Sequence, residues 1–350
     1  MPPAMPIDLR SDTVTMPTDA MLDAMHRAPL GDDGREGDPT VMRLEALAAE
    51  RTGKEAGLFL VSGTMGNLVA LLAHTGRGGE VLCEAGSHIL RSEMGGIAGL
   101  AGLFHRGIAG TRGAMDVAAL GEAIAPSLMP NRLATALICM ETTHNDAGGA
   151  ALPLAHMQAV HALGRAHGIP VHTDGARLFN AAIRLGVDAA AIAAHTDTVT
   201  FCISKGLSAP VGAVLAGPRD FITRARAYRR MVGGNLRQGG IVAAAGIVAL
   251  ETMVARLADD HASARRLAER LHRIDPGLVD LARVETNIVQ IDTRGDGRPA
   301  ANLVAALKSR GVLAGVWSKD VIRMVTHRHI DAAAVDEAVR VFGVVWRAGV

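Results

Sequence analysis

The sequence predicts an α/β protein with a mostly parallel central sheet flanked by helices, followed by a smaller C-terminal α+β domain. Short apolar runs alternate with longer Ala- and Leu-rich segments of helical spacing, which is the pattern of βαβ units. Aromatic residues make up only 3% of the chain while glycine occurs 40 times, which favours helices packed closely on a sheet. At 350 residues the chain exceeds one typical domain, so two domains are expected.

Each predicted element follows from its apolar pattern and from the turn residues at its ends. Strands of the large domain are predicted near 56–61, 80–84, 134–140, 169–174, 197–203 and 211–216. Helices are predicted at 64–75, 153–167, 177–185, 239–256 and 262–274. Strands near 286–292 and 321–326, separated by a helix over 300–311, complete the small domain.

Three regions are predicted along the chain. Residues 1–45 are rich in Pro, Gly and Asp and are expected to form an N-terminal arm laid on the large domain or on a partner subunit. Residues 46–244 are expected to form the large domain, and residues 245–350 the small C-terminal domain.

Composition argues against several classes of partner. With 36 basic and 35 acidic side chains and no long run of one sign, no nucleic-acid surface is expected. Neither a signal peptide nor an apolar stretch of about 18 residues is visible, so a cytoplasmic protein with no membrane partner is expected. No H-E-x-x-H or C-x-x-C motif occurs, so no metal is expected. Three cysteines lie in apolar runs and are interpreted as buried core residues: Cys83, Cys139 and Cys202.

Asp174 ends an apolar strand in the segment "HGIPVHTDGARLFN". Asp before Gly is a common turn pair, so a turn is one interpretation. The other is a ligand contact, because open α/β sheets bind ligands outside the carboxyl ends of their strands.

Lys205 follows a second predicted strand in "TVTFCISKGLSAPVG". It could extend from the loop into solvent. Alternatively, its apolar surroundings lower the cost of losing its charge, which is what a lysine needs in order to act as an amine nucleophile.

Ser62, Gly63 and Thr64 lie between a strand and an amphipathic helix in "LFLVSGTMGNLVALL". The first N–H groups of a helix are unpaired and carry partial positive charge, so this turn is suited to a phosphate. Pyridoxal 5′-phosphate needs an anion site, a carboxylate for its pyridine nitrogen and a lysine for its aldehyde. The three segments together therefore predict a pyridoxal-phosphate site.

The sequence resembles the L-threonine aldolases, low-specificity type, of the β-eliminating lyase group of fold type I pyridoxal-phosphate enzymes. The likeness extends over most of the chain. It rests on nine segments in the family's order: "DLRSDTVTMPTDAM", "GDDGREGDPTVMRLE", "FLVSGTMGNLVAL", "SHILRSEMGG", "ETTHNDAGG", "HTDGARLFNAA", "SKGLSAPVG", "GGNLRQGG" and "IRMVTH".

The resemblance implies a role for each site residue. Lys205 holds the cofactor as an imine, Asp174 pairs with the pyridine nitrogen, and His88 stacks on the ring. The phosphate is expected to be bound by Ser62, Gly63, Thr64 and Ser204, and by Arg237 from the other subunit. The substrate carboxylate is assigned to Ser11, Arg177 and Arg323, with Arg177 also near the cofactor's phenolic oxygen, and His144 lies by the β-hydroxyl. A core histidine at His88 and a helix cap at Ser11 are the alternatives.

The implied activity is retro-aldol cleavage of L-threonine, L-allo-threonine and related β-hydroxy-α-amino acids to glycine and an aldehyde, in a homotetramer (a dimer of dimers) with shared active sites. Alternatives are β-elimination, an aldolase specialised for another substrate such as phenylserine or β-hydroxyaspartate, and a catalytically silent scaffold. One segment departs from the family: "GDDGREGDPTV" has Gly34 and Arg35 where the family has Val-Tyr. We expect Arg35 to favour substrates with a polar or anionic side chain. The alternative is that Arg35 turns to solvent or pairs with Glu36 or Asp38.

Overall fold

The computed structural model describes residues 6–348. The helices are α1 Asp19–Arg27, α2 Pro39–Thr52, α3 Gly63–His74, α4 His88–Arg91, α5 Gly96–Gly99, α6 Val117–Ala123, α7 Leu154–Ala166, α8 Leu178–Leu185, α9 Ala189–Ala193, α10 Arg219–Met231, α11 Gly240–Thr252, α12 Leu257–Ile274, α13 Ala300–Lys308 and α14 Ala332–Arg347.

The strands are β1 Ile7–Asp8, β2 Ala56–Leu60, β3 Glu80–Glu84, β4 Phe104–Ile108, β5 Gly110–Thr111, β6 Ala114–Met115, β7 Thr135–Glu141, β8 Val171–Asp174, β9 Thr198–Cys202, β10 Ala213–Gly217, β11 Ile288–Asp292, β12 Val312–Leu313, β13 Gly315–Ser318 and β14 Val321–Val325. Each predicted strand and helix is present within a few residues of its expected bounds. The elements not predicted are β4, the short strands β1, β5, β6, β12 and β13, and the helices α1, α2, α4, α5, α6, α9, α10 and α14.

Two compact units divide the chain. The larger unit is Met16–Val254, and the smaller unit joins the N-terminal residues up to Thr15 to the residues from Ala255 onward. The division follows α11, whereas the sequence pattern places the start of the small domain near 245. The expected N-terminal arm is shared, with β1 in the smaller unit and α1 in the larger. Its place at a subunit interface stays a prediction.

A seven-stranded sheet forms the centre of the larger unit, in the order β2-β10-β9-β8-β7-β3-β4. Strand β10 is antiparallel to both of its neighbours, and the other pairs are parallel. Six strands therefore end at the same edge, where open α/β sheets bind ligands. Strands β8 and β9 are buried along their whole length, as expected for strands covered on both faces.

Apolar faces of α3 and α10 cover one end of this sheet. Their side chains form a core with β2 and β10, including Leu58, Val69, Leu215 and Phe221. The three cysteines are buried in the larger unit, as the sequence predicts. Burial raises the pKa of the Cys83 thiol to about 12, so Cys83 behaves as a core side chain.

The smaller unit is an α+β structure. Its antiparallel sheet has the order β11-β14-β13, and β1 pairs with β12 in parallel. Helices α12, α13 and α14 supply apolar residues to one core, among them Leu267, Leu303 and Phe342. Within residues 6–348 no single helix is long and apolar enough to cross a membrane, and α11 and α12 pass that test only as a broken pair.

Candidate active site

Asp174 is the last residue of β8, at the edge where the parallel strands end. Its side chain is buried, with only 3% of the residue exposed. One carboxylate oxygen accepts a hydrogen bond from Asn67 Nδ2 at 2.8 Å, and the other accepts one from the backbone N–H of Ala176 at 3.0 Å. A carboxylate has about four acceptor positions, so Asp174 can accept a further proton donor. The contact with Ala176 is a local turn bond, and the spare acceptor capacity of Asp174 is compatible with a ligand contact, which stays a prediction.

A hydrogen-bonded network connects Asp174 to His88. Asn67 Nδ2 also donates to Glu93 Oε1 at 2.8 Å, and that oxygen lies 3.0 Å from His88 Nδ1. The hydrogen bond with Glu93 is the main cause that raises the pKa of His88. One oxygen each of Asp174 and Glu93 and one ring nitrogen of His88 lie within 4.8 Å of one another. A cation could also bind at that spacing, and the expected absence of a metal stays a prediction.

Lys205 lies in the loop between β9 and β10, close to where β9 ends. The backbone of this loop is fixed by Ser204, whose Oγ donates to Gly212 O at 3.1 Å, and by the N–H of Ser208, which donates to Lys205 O at 2.9 Å. Ser208 has a φ of 66°, in the left-handed region that an L-residue seldom adopts. Lys205 is half-buried.

The N-terminus of α3 faces the same edge. Ser62 Oγ accepts a hydrogen bond from Met65 N at 3.1 Å and caps the helix, which begins at Gly63. A Cβ on Gly63 would lie 2.8 Å from Cys202 Sγ, and one on Gly66 would lie 2.5 Å from Thr200 Cγ2. These glycines therefore bring the first turn of the helix against the end of β9, the strand that leads to Lys205.

The residues at this edge fit pyridoxal 5′-phosphate. A helix N-terminus suits a phosphate, a buried carboxylate with spare acceptor capacity suits a protonated pyridine nitrogen, and a half-buried lysine suits an aldehyde. The three groups come from the ends of β2, β8 and β9, as the sequence predicts.

His144 follows β7 and is buried, with 1% of the residue exposed. Its Nδ1 accepts the backbone N–H of Ala147 at 3.3 Å. Its Nε2 lies 3.0 Å from Glu84 Oε2 and 3.9 Å from Glu141 Oε2. The N–H direction at Nε2 is not aligned for a full hydrogen bond at these positions.

The remaining predicted site residues lie in both units. Arg177 precedes α8 and is buried, with Nη1 3.5 Å from Asn145 Oδ1. In the smaller unit, Ser11 caps a short 3₁₀ helix by accepting the N–H of Thr13 at 3.2 Å. Arg323 lies on β14 with its guanidinium carbon 4.8 Å from the centre of the Trp317 ring. A role for Ser11 beyond capping stays a prediction.

Arg237 and Arg35 both pair with Asp32. Arg237 Nη1 lies 3.3 Å from an Asp32 carboxylate oxygen, and 67% of the Arg237 side chain is exposed within the single chain. Arg35 Nε lies 3.8 Å from Asp32, with 74% of its side chain exposed. Arg35 is therefore largely turned to solvent within one chain, and its effect on substrate choice stays a prediction.

Sequence reasoning missed four polar residues at this edge: Asn67, Glu84, Glu93 and Glu141. Glu93 and Glu141 lie inside segments that carried the family resemblance, "SHILRSEMGG" and "ETTHNDAGG", but their partners come from distant parts of the chain. Glu93 pairs with Asn67, 26 residues away, and Glu141 Oε2 accepts the N–H of His88, 53 residues away. No spacing rule along the sequence predicts such pairs.

Comparison with known proteins agrees with this architecture. The family model described as beta-eliminating lyase matches residues 8–294. A probable low-specificity L-threonine aldolase 2 of Arabidopsis thaliana is 43% identical, covering 96% of each chain. The low specificity L-threonine aldolase of Escherichia coli K12 is 41% identical, covering 95% of this chain and 96% of that one.

Among solved structures, the threonine aldolase of Leishmania major superposes with a TM-score of 0.80 over 98% of this chain and 99% of that one, at 18% identity. That similarity shows the fold, and it confirms the expected fold type I α/β class. The family match spans most of the chain, and the two relatives align over nearly their full lengths. The chain therefore belongs to the beta-eliminating lyase family, with low-specificity L-threonine aldolases among its relatives.

Proposed function

We propose that this protein is a pyridoxal-phosphate-dependent carbon–carbon lyase that cleaves L-threonine, L-allo-threonine and related β-hydroxy-α-amino acids to glycine and an aldehyde. The observation that carries this proposal is the convergence of Asp174, Lys205 and the N-terminus of α3 at one edge of the sheet. The full-length relatives named as low-specificity L-threonine aldolases support the substrate class.

Five residues and one turn hold the cofactor in this proposal. Bound pyridoxal phosphate supplies an electron sink for the pair left at Cα when the Cα–Cβ bond breaks. Lys205 provides the amine for its aldehyde, and Asp174 keeps the proton on its pyridine nitrogen. His88 covers the ring, held by Glu93. Ser62, Gly63, Thr64 and Ser204 bind the phosphate, and Arg237 reaches the phosphate of the partner's cofactor.

The remaining residues orient the substrate. Ser11, Arg177 and Arg323 bind its α-carboxylate, and Arg177 also lies by the cofactor's phenolic oxygen. An arginine suits this task because its planar guanidinium donates two parallel hydrogen bonds to a carboxylate. His144 is placed by the β-hydroxyl, whose proton must leave as the aldehyde forms.

The cellular setting and assembly belong to the same proposal. We expect a cytoplasmic enzyme that works as a homotetramer, a dimer of dimers with active sites shared between subunits. The three buried cysteines suit a reducing compartment, and the exposed guanidinium of Arg237 is in keeping with a role at a subunit boundary.

Product analysis tests the reaction. We expect L-threonine to give glycine and acetaldehyde in equal amounts, and L-allo-threonine to give the same products. Ammonia and a 2-oxo acid in place of glycine would identify the protein as a β-eliminating enzyme and overturn the proposal. The same assay on phenylserine and β-hydroxyaspartate distinguishes a broad aldolase from one specialised for either substrate.

A further inference from the structure

His144 is held in one orientation by its surroundings. The ring packs against Gly113, where a Cβ would lie 2.4 Å from His144 Cγ, and Gly113 has a φ of 84°. Nδ1 accepts the N–H of Ala147, so the proton of the neutral ring is on Nε2. At 3.3 Å this hydrogen bond is weak, so it selects the tautomer and is lost at small cost when Nδ1 takes up a second proton.

Two carboxylates face Nε2, but only one of them is available to it. Glu141 is already committed, because its two oxygens accept the backbone N–H groups of His88 at 2.6 Å and Asn145 at 2.7 Å. Glu84 is nearer to Nε2, at 3.0 Å, and accepts one backbone N–H, from Gly86 at 2.6 Å, with the same oxygen. Its other oxygen has no hydrogen-bond partner in the described part of the chain.

Exposure differs between the two partners. The His144 side chain is 2% exposed and Nε2 itself is sealed from solvent, whereas the Glu84 side chain keeps 12% exposure. Glu84 is therefore the more exposed member of the pair. Burial lowers the pKa of His144, but the carboxylates of Glu84, Glu141 and Asp146 outweigh burial and raise it above its usual value.

We propose that Glu84 is a positioning residue: its carboxylate faces Nε2–H of His144, fixes that tautomer, and stabilises the ring when Nδ1 takes up a second proton. The proposal rests on the proposed function, in which His144 lies by the β-hydroxyl. Glu84 and His144 then hold a proton as one unit, and His144 does not meet the substrate as an isolated base. Two other carboxylates act on His144, those of Glu141 and Asp146. Arg112 precedes Gly113 in the hairpin that packs on the ring, and its side chain is exposed.

The first test is Glu84→Gln, which removes the charge and keeps the shape. We expect the pKa of His144, followed by NMR of ring-¹⁵N-labelled histidine in the holoenzyme, to fall by about 1 unit, or tenfold in proton affinity. The resonance is assigned with His144→Asn. In the pH profile of kcat/KM for threonine cleavage, the limb that reports the protonation of His144 should lie at lower pH than in the native enzyme. KM should change little.

Two further variants keep the test decisive. Glu84→Asp retains the charge one methylene further away, so both readouts should lie between those of the native enzyme and Glu84→Gln. Glu80→Gln removes a carboxylate from the other end of β3, where it pairs with Arg106, and should leave the pKa of His144 unchanged.

An unchanged pKa of His144 in Glu84→Gln, within about 0.3 unit, would overturn the proposal. If Glu84→Gln does not fold, an unchanged pKa of His144 in Glu84→Asp would overturn the proposal. The NMR titration does not depend on turnover. A native enzyme that releases no glycine would therefore refute the proposed function and leave the Glu84–His144 pairing to be decided by the titration.

Discussion

The chemistry of the site depends on a few side chains whose partners are now defined. Asp174 is fixed on both carboxylate oxygens, and Asn67 shares its amide between Asp174 and Glu93. Such a network holds the carboxylate in one position, so a proton donor that arrives meets a preorganised acceptor. The positions of Asp174 and Lys205 at strand ends could be predicted from the sequence, because Asp174 ends one apolar strand and Lys205 closely follows another. Asn67 and Glu93 could not, because their hydrogen bonds join elements far apart in the chain.

Asp174→Asn is expected to keep the fold and lose about 10²–10⁴-fold in kcat, the range for losing one proton-holding group. The amide cannot keep a pyridine nitrogen protonated. Its NH2 group must also face one of two hydrogen-bond donors, Nδ2 of Asn67 or the N–H of Ala176. Steady-state kinetics on L-threonine measures the loss. Asp188→Asn is the matched control, because Asp188 is exposed before α9 and its side chain caps no N–H. If Asp174→Asn is as active as Asp188→Asn, the role of Asp174 is purely structural.

At the scale of elements, the ends of the strands position the candidate site residues, and the helices packed on the sheet fix the spacing of those strand ends. The buried strands were predictable because they are continuous apolar runs bounded by turn residues. Strand β4 was not, because four of its five residues are exposed and it contains His105 and Arg106. It is an edge strand, where the apolar pattern is weakest.

Strand β8 carries a second titratable residue, His172, whose burial lowers its pKa to about 4. His172 Nδ1 lies 2.9 Å from Thr198 Oγ1 and Nε2 lies 3.2 Å from Asn67 Oδ1, so the neutral ring is satisfied within the core. An unfolded histidine has a pKa near 6.5, so the unfolded chain takes up the proton first as the pH falls. The resulting stability is complete above about pH 6.5 and is lost progressively toward pH 4, by roughly 3 kcal/mol at most.

The prediction is that the larger unit loses stability between pH 6.5 and pH 4 and that His172→Gln reduces this dependence. Thermal unfolding at pH 7 and pH 5 measures it. A glutamine offers one donor and one acceptor to Thr198 and Asn67 without a titratable group. His74 has its pKa lowered by burial to about 3, and it remains in the variant, so part of the dependence should persist. The same loss of stability in both proteins would show that His172 does not contribute.

At the scale of the whole molecule, the family could be predicted from the order of nine short segments, and the structure adds where the chain divides. The boundary lies after α11 because that helix is largely buried in the larger unit, with eight of its thirteen residues buried. The sequence pattern alone placed the boundary inside α11, because an Ala-rich helix has the same apolar pattern at the edge of a domain as within it. Subunit contacts have no comparable signal in the sequence of one chain.

Sharing of the active site between subunits is the prediction that belongs to this scale. Hybrids of Lys205→Ala chains and Arg237→Ala chains should regain activity, because in a dimer one site carries both defects and the other carries neither. Activity is measured after the two proteins are mixed, partly dissociated and reassociated, with hybrids confirmed by native mass spectrometry. Confirmed hybrids that stay inactive would count against a shared site. Mixing Lys205→Ala chains with Asp174→Asn chains is the control, since both residues serve the same chain's site and every site in the hybrid then carries a defect.

The central claim is that Lys205 carries pyridoxal phosphate at the edge where the sheet's parallel strands end. Borohydride reduction of the holoenzyme, followed by digestion and mass spectrometry, tests it most directly, because the chain has four lysines that different peptides distinguish: Lys54, Lys205, Lys308 and Lys319. We expect a reduced pyridoxyl phosphate group on Lys205 and no fixed cofactor at that position in Lys205→Ala. A chain that takes up no cofactor, or one that is modified at another lysine with Lys205 intact, would contradict the account.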